Sequence, residues 1–180
     1  MSSIRVVPVG NPEPPLLDAV CDELARAFDV ACSVVDSRFD AAFAHHPERN
    51  QYFSTPIVER LAATSAGELV VGITELDLYI PILTFVFGEA QLGGTSALVS
   101  YHRLRQEFYG LPRDPSLLCE RLVKEAIHEV GHTSALTHCD DYDCVMAATH
   151  AVEWIDLKSA SFCAACRRSV GAERRRLASS

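Results

Sequence analysis

His128, Glu129 and His132 form a His-Glu-x-x-His run with His138 six residues further on, and no other feature of the chain constrains its folding as tightly. Asp114-Pro115-Ser116 reads as a helix start, and Leu117, Leu118, Leu122, Val123, Ile127 and Val130 continue at helical intervals. On that helix the two imidazoles, four residues apart, project from one face and can share a metal ion, with Glu129 beside them. A catalytic zinc needs three protein ligands and one open position for water. His138 supplies the third ligand if the chain turns back near Ser134 to Leu136. Zinc lowers the pKa of a bound water toward about 7, and Glu129 is placed to take its proton and return it to a leaving amine. Such hydrolysis forms no covalent intermediate, so it needs no serine or cysteine nucleophile motif. The bland alternative is a set of surface histidines that happen to line one helix.

A second cluster follows at once. Cys139-x4-Cys144 and Cys163-x2-Cys166 are two close pairs joined by an 18-residue connection, Val145 to Phe162. Four thiolates at these spacings fit a closed tetrahedral zinc site, structural because it leaves no position for water. It would tie the segment after the active-site helix to a C-terminal helix around Arg167 to Arg176. The competing readings are disulfides or a redox Cys-x-x-Cys, although no thioredoxin-like βαβ pattern precedes Cys163. Cys21, Cys32 and Cys119 fall on apolar helical or strand positions and read as free structural thiols.

Composition narrows the function classes. With 180 residues, 48% of them hydrophobic and 22% charged, the chain can bury its own core as one domain, residues 1–180. Within it, residues 1–138 carry the sheet and active-site helix, and residues 139–180 form a cysteine-rich subregion. Sixteen Lys and Arg against 24 Asp and Glu give 16 − 24 = −8, and the only basic run is Arg174 to Arg176. Charge-driven binding to nucleic acid is therefore not expected. The longest uncharged apolar stretch near the middle, Leu78 to Gly88, has 11 residues and contains Pro81, too short for a bilayer crossing. Met1 to Gly10 reads as a strand rather than a leader, which points to the cytoplasm, where clustered cysteines are more often metal ligands than disulfides.

The remaining pattern is mixed. Ile4 to Val9, Val30 to Asp36, Leu69 to Thr74, Leu83 to Phe87 and Ala97 to Tyr101 read as strands. Leu16, Leu17, Val20, Cys21, Leu24, Ala27 and Phe28 mark an amphipathic helix, and Ile57 to Ser65 marks a second one after Pro56. His45 and His46 fall in a loop. The fold class is α/β (α+β), a mixed sheet packed with helices.

The run from His128 through His138, Cys139, Cys144, Val145 and Met146 to Cys163 and Cys166 resembles the archaemetzincins, a family of metzincin-type zinc metallopeptidases. Phe85 to Ala90 and Tyr101 to Arg105 resemble that family less specifically. The resemblance implies a compact metzincin-like domain with a mixed twisted sheet on two or three helices. It implies His128, His132 and His138 on a catalytic zinc, Glu129 as general base, and the four cysteines on a second zinc. It also implies Met146 in a turn beneath the catalytic zinc and a peptide or small protein as substrate. Read by itself, Met146 is equally well a core filler. The substrate would add to an exposed strand edge at Thr84 to Ala90.

One position departs from the family pattern, since Ala135 stands where metzincins usually carry glycine. If φ is positive there, alanine costs about 1 kcal/mol relative to glycine, and His138 is still expected to bind. A binding module that kept both zincs without useful catalysis is the alternative function. His102 and His150 read as ordinary histidines; Glu125, one helical turn before Glu129, could orient a ligand but reads first as a residue on a solvated helix face.

Overall fold

The computed structural model describes residues 3–178, and side chains only as far as residue 171; the side chains of Arg174 to Arg176 therefore lie outside the described set. The chain runs β1 (Ser3–Val9), α1 (Pro14–Phe28), β2 (Ala31–Val34), β3 (His45–His46), β4 (Gln51–Phe53), α2 (Ser54–Ala62), β5 (Leu69–Thr74), β6 (Leu78–Tyr79), β7 (Gly88–Ala90) and β8 (Ser96–Ser100). The helices α3 (Pro115–Thr133), α4 (Val152–Leu157) and α5 (Ala164–Ala178) follow.

Five strands form the main sheet in the order β2-β1-β5-β8-β7. The first four are parallel and β7 runs antiparallel along β8. The period of two divides the side chains between two layers. Ile4 and Val6 of β1, Leu69, Val71 and Ile73 of β5 and Val99 of β8 face α1 and α3, where they meet Leu17, Val20, Leu24, Leu122, Ile127 and Val130. Val7, Val9, Val70 and Leu98 face the other way, onto Ile57, Val58 and Leu61 of α2. Parallel strands need cover on both faces, and these helices supply it. The mixed α/β class holds.

Two expectations change. Leu83 to Phe87 does not form a strand. Val86 makes an isolated bridge to Leu78, and the ladder on β8 begins only at Gly88. The carbonyls of Leu83 and Thr84 are met by side chains instead, Arg49 donating to both and Gln51 Nε2 to Thr84 at 2.9 Å. The apolar run therefore reflects a segment crossing between two sheets and walling a cleft. His45 and His46 also leave their expected loop and form β3, a short antiparallel partner of β4.

Candidate active site

Pro115 occupies the first turn of α3 and the Asp114 carboxylate caps it, accepting from the Leu117 amide at 3.0 Å. At the other end the helix closes on Ala135, whose φ is 60°. The Ala135 amide donates to the His132 carbonyl at 2.9 Å and the Leu136 amide to the Gly131 carbonyl at 3.2 Å, the paired bonds of a left-handed helix stop. The condition raised from the sequence is met, since φ at this position is positive and alanine carries it. The turn brings His138 back, so its ring centroid lies 5.3 Å from that of His128 and 5.1 Å from that of His132.

His128 is buried, His132 half-buried and His138 exposed. His128 Nδ1 lies 2.8 Å from the Val145 carbonyl and His132 Nδ1 lies 2.7 Å from the Leu136 carbonyl. A carbonyl only accepts, so both Nδ1 atoms carry the proton and both Nε2 atoms present lone pairs. Those two Nε2 atoms face each other at 3.1 Å. Two lone pairs at this distance repel unless a cation lies between them, and a tetrahedral zinc with Zn–N near 2.05 Å would space its nitrogens at about 3.3 Å. A ligand atom of each of the three histidines falls within 4.8 Å of the others. The donor set fits zinc. Burial depresses the pKa of each ring first, so all three stay neutral at pH 7.

Glu129 is buried next to this trio. Burial first, and then the charges of Glu125 and Glu89, push its carboxyl well above the usual range, against the pull of the Lys158 ammonium. Gly88 presses on it so closely that a Cβ there would stand 2.7 Å from Glu129 Cγ and 2.8 Å from Oε1. The edge strand β7 thus begins directly against the carboxylate. Glu89, the next residue, accepts from Ser54 Oγ and from Thr55 Oγ1, the latter at 2.7 Å.

Glu125 corrects the reading from sequence. It is 2% exposed and pairs with Lys158, itself 2% exposed, at 2.9 Å. Lys158 Nζ also lies 3.5 Å from the Ala147 carbonyl. Arg121 grips both carboxylate oxygens of Asp156 at 2.7 Å, and Lys124 donates to the Ile155 carbonyl at 3.1 Å. These contacts fasten α4, a helix the sequence pattern did not reveal, to α3. Glu125 lies four residues before Glu129, so it shares the site-facing side of α3. That periodicity was the available signal.

Met146 is fully buried under the helix. A Cβ on Gly131, between the two helical histidines, would meet its Sδ at 2.4 Å. The stretch Val145 to Ala147 is a hinge between the clusters. Val145 receives His128, Met146 accepts from the Cys139 amide at 2.9 Å, and Ala147 faces Lys158.

Cys139, Cys144, Cys163 and Cys166 converge so that all four sulfurs lie within 4.8 Å of one another. Cys139 Sγ and Cys163 Sγ are 3.8 Å apart, the spacing of about 3.8 Å that four Zn–S bonds of about 2.3 Å impose. The Cys163 amide donates to Cys144 Sγ at 3.3 Å. The backbone amide of Cys166, with further hydrogen bonds, draws the Cys163 thiol down to about 7. Burial pushes Cys144 and Cys166 up.

The histidines and Glu129 floor a cleft of about 540 Å³. Leu83 to Gly88 line it together with Ala148, Thr149 and His150. His150, exposed, is thus a cleft residue. His102 is not, since its Nδ1 lies 3.0 Å from the Glu75 carbonyl, away from this cleft.

A helix-borne histidine pair with a buried glutamate between them, closed by a third histidine beyond the helix at the foot of a strand-edged cleft, is the layout of a zinc metallopeptidase. The chain belongs to peptidase family M54, whose model matches residues 60–172. It is 37% identical to the archaemetzincin of Methanocaldococcus jannaschii over 93% of this chain and 92% of that one. Among solved structures, a zinc-dependent peptidase from Methanocorpusculum labreanum superposes with a TM-score of 0.86 at 30% identity, covering 93% of this chain and 99% of the other. The archaemetzincin of Archaeoglobus fulgidus, solved with malonate, superposes at 0.82 with 33% identity over 93% and 99% of the two chains.

Proposed function

We propose that the chain hydrolyses peptide bonds in this cleft, with one zinc on His128, His132 and His138 and a second, structural zinc on Cys139, Cys144, Cys163 and Cys166. The observation that carries the reading is the pair of Nε2 lone pairs facing each other at 3.1 Å, each fixed by a carbonyl on its Nδ1, beside a buried glutamate. When bound, the first zinc acts as Lewis acid toward the substrate carbonyl and acidifies water.

The protein's own groups do the rest. The Val145 and Leu136 carbonyls hold the imidazoles in one tautomer and orientation. Glu129, whose carboxyl is held high by burial, takes the proton of the attacking water and delivers it to the leaving amine. Gly88 leaves room for that carboxylate and keeps it against β7. The substrate lies extended along β7, whose one ladder among the described residues is to β8. Met146 supports α3 from below.

The alternative of an inactive binding module drew on Ala135. The helix stop there has both of its hydrogen bonds and returns His138 to the trio, which favours the peptidase.

The test is zinc per chain together with peptide turnover. Two zincs are expected, falling to one in His132→Ala. Glu129→Gln is expected to keep both zincs and lose about a thousandfold or more in turnover. One zinc in both wild type and His132→Ala, or undiminished turnover in Glu129→Gln, overturns the reading.

A further inference from the structure

Cys21 and Cys32 lie far from both clusters in the sequence, yet the fold brings them together. Cys21 sits mid-way along α1 on the side that covers the sheet, and Cys32 sits on β2, the outermost strand. Asp29, left-handed with φ 51°, turns the chain from helix to strand, so α1 folds straight back over β2. The two sulfurs end 2.7 Å apart.

That separation excludes a shared ion, because two thiolates on one zinc stand about 3.8 Å apart, as Cys139 and Cys163 do. Among the described residues no further ligand joins the pair. A covalent bond of about 2.05 Å lies well under 1 Å of sulfur movement away. Both ends are also held in place. Cys32 is registered opposite Ile4 of β1, and Cys21 lies between the buried Val20 and Leu24.

We propose that Cys21 and Cys32 form a reversible disulfide that clamps α1 onto the edge strand β2. The oxidant is a low-molecular-weight disulfide. The half-exposed Cys32 thiol, once deprotonated, attacks it and releases one small thiol. Cys21 then loses its proton, displaces the second small thiol from the mixed disulfide and closes the S–S bond. Two protein thiols are oxidised and one small disulfide is reduced to two thiols. Burial holds both thiols protonated at neutral pH, so the bond forms slowly. The pair lies away from the cleft residues, so its closure acts on the stability of the sheet edge and leaves turnover alone.

The experiment uses the zinc-loaded full chain incubated with oxidised glutathione, alkylated and digested without reduction. The expected product is a Cys21–Cys32 linked peptide and a chain lighter by two hydrogen atoms. Zinc content and peptide turnover stay unchanged, the melting temperature rises by roughly 5–10 °C, and a dithiol reverses everything. Recovery of both cysteines as separately alkylated peptides overturns the proposal, as does a disulfide made from the zinc-site cysteines with loss of metal. Cys32→Ser gives the control. A rise in melting temperature of the same size in that variant on oxidation would assign the effect elsewhere and overturn the clamp.

Discussion

The two clusters lie on either side of one short hinge, Val145 to Ala147, and solve the problem of gathering ligands in opposite ways. The histidine trio is built on a helix. Two of its members are fixed by backbone carbonyls and the third, His138, is left exposed at the mouth of a cleft. The four cysteines come from two separate stretches, and they surround their centre with sulfur and backbone amides. A site that leaves one side open can take a water and a substrate; a site enclosed by four thiolates can only hold the chain together. The charges differ as well. The histidine side stands on a buried ion pair, Glu125 with Lys158, whereas hydrogen bonds to sulfur support the cysteine side.

Lys158 is where this contrast breaks most easily. Replacing it by methionine removes the counter-charge of a carboxylate that is 2% exposed, one helical turn before Glu129. Losing one partner of a buried pair costs about 3–5 kcal/mol. Lys158→Met is expected to lower unfolding stability by that amount in chemical denaturation and to reduce turnover. Adding Glu125→Leu should restore most of the stability, because the stranded charge is gone. Lys158 lies only five residues before Cys163, so the cysteine site is the control. If Lys158→Met emptied that site of metal while the histidine site stayed full, the pair would belong to the wrong cluster.

Protons distinguish the two sites next. The three histidine pKa values are depressed from their ordinary value near 6.5, so those rings are already neutral at pH 7 and metal binding releases no proton from them. The same depression gives the sign for the metal-free fold. Below about pH 6.5 the unfolded chain binds protons that the folded rings refuse, so stability falls with falling pH until the depressed folded values are reached. Cys144 and Cys166, raised above the ordinary thiol value, must each give up a proton to bind. Metal affinity at the cysteine site should therefore climb by at least a hundredfold per pH unit over roughly pH 7–9, against at most about tenfold at the histidine site, where only a bound water ionises. Chelator competition on Glu129→Gln, with zinc followed site by site, reads both slopes. Equal slopes would show that the two sites do not differ in protonation.

The sequence made the two candidate ligand sets legible and left much of their support hidden, for reasons of distance along the chain. The His-Glu-x-x-His spacing states a helix face, and the two cysteine pairs state a tetrahedral set, because each is a local pattern governed by one period or one ion. Glu125 and Lys158 are 33 residues apart (158 − 125), and no local period joins them. α4 is only a turn and a half of helix inside the connection between the cysteine pairs, too short for its apolar spacing to stand out. Leu83 to Phe87 read as a strand because it is apolar. Its residues are apolar to wall a cleft and cover a core, and side chains of Arg49 and Gln51 rather than a ladder meet its carbonyls. The purpose of Gly88, clearance for Glu129, exists only once strand and helix meet.

Ala135 gives the finest test of the comparison, because only the histidine side depends on it. Its φ of 60° disfavours an L residue by about 1–2 kcal/mol, while replacing it by glycine returns about 0.4–1 kcal/mol of entropy to the unfolded chain. The two opposing contributions leave Ala135→Gly more stable by between zero and about 1.6 kcal/mol. Both hydrogen bonds of the helix stop use backbone atoms, so they survive the change, and His138 should keep its place. Zinc per chain and turnover should match the parent within a factor of about two, with a melting temperature higher by at most a few degrees. A tenfold gain in turnover on that single substitution would mean that the alanine had been holding His138 off its position, and the histidine site would then be the less completely formed of the two.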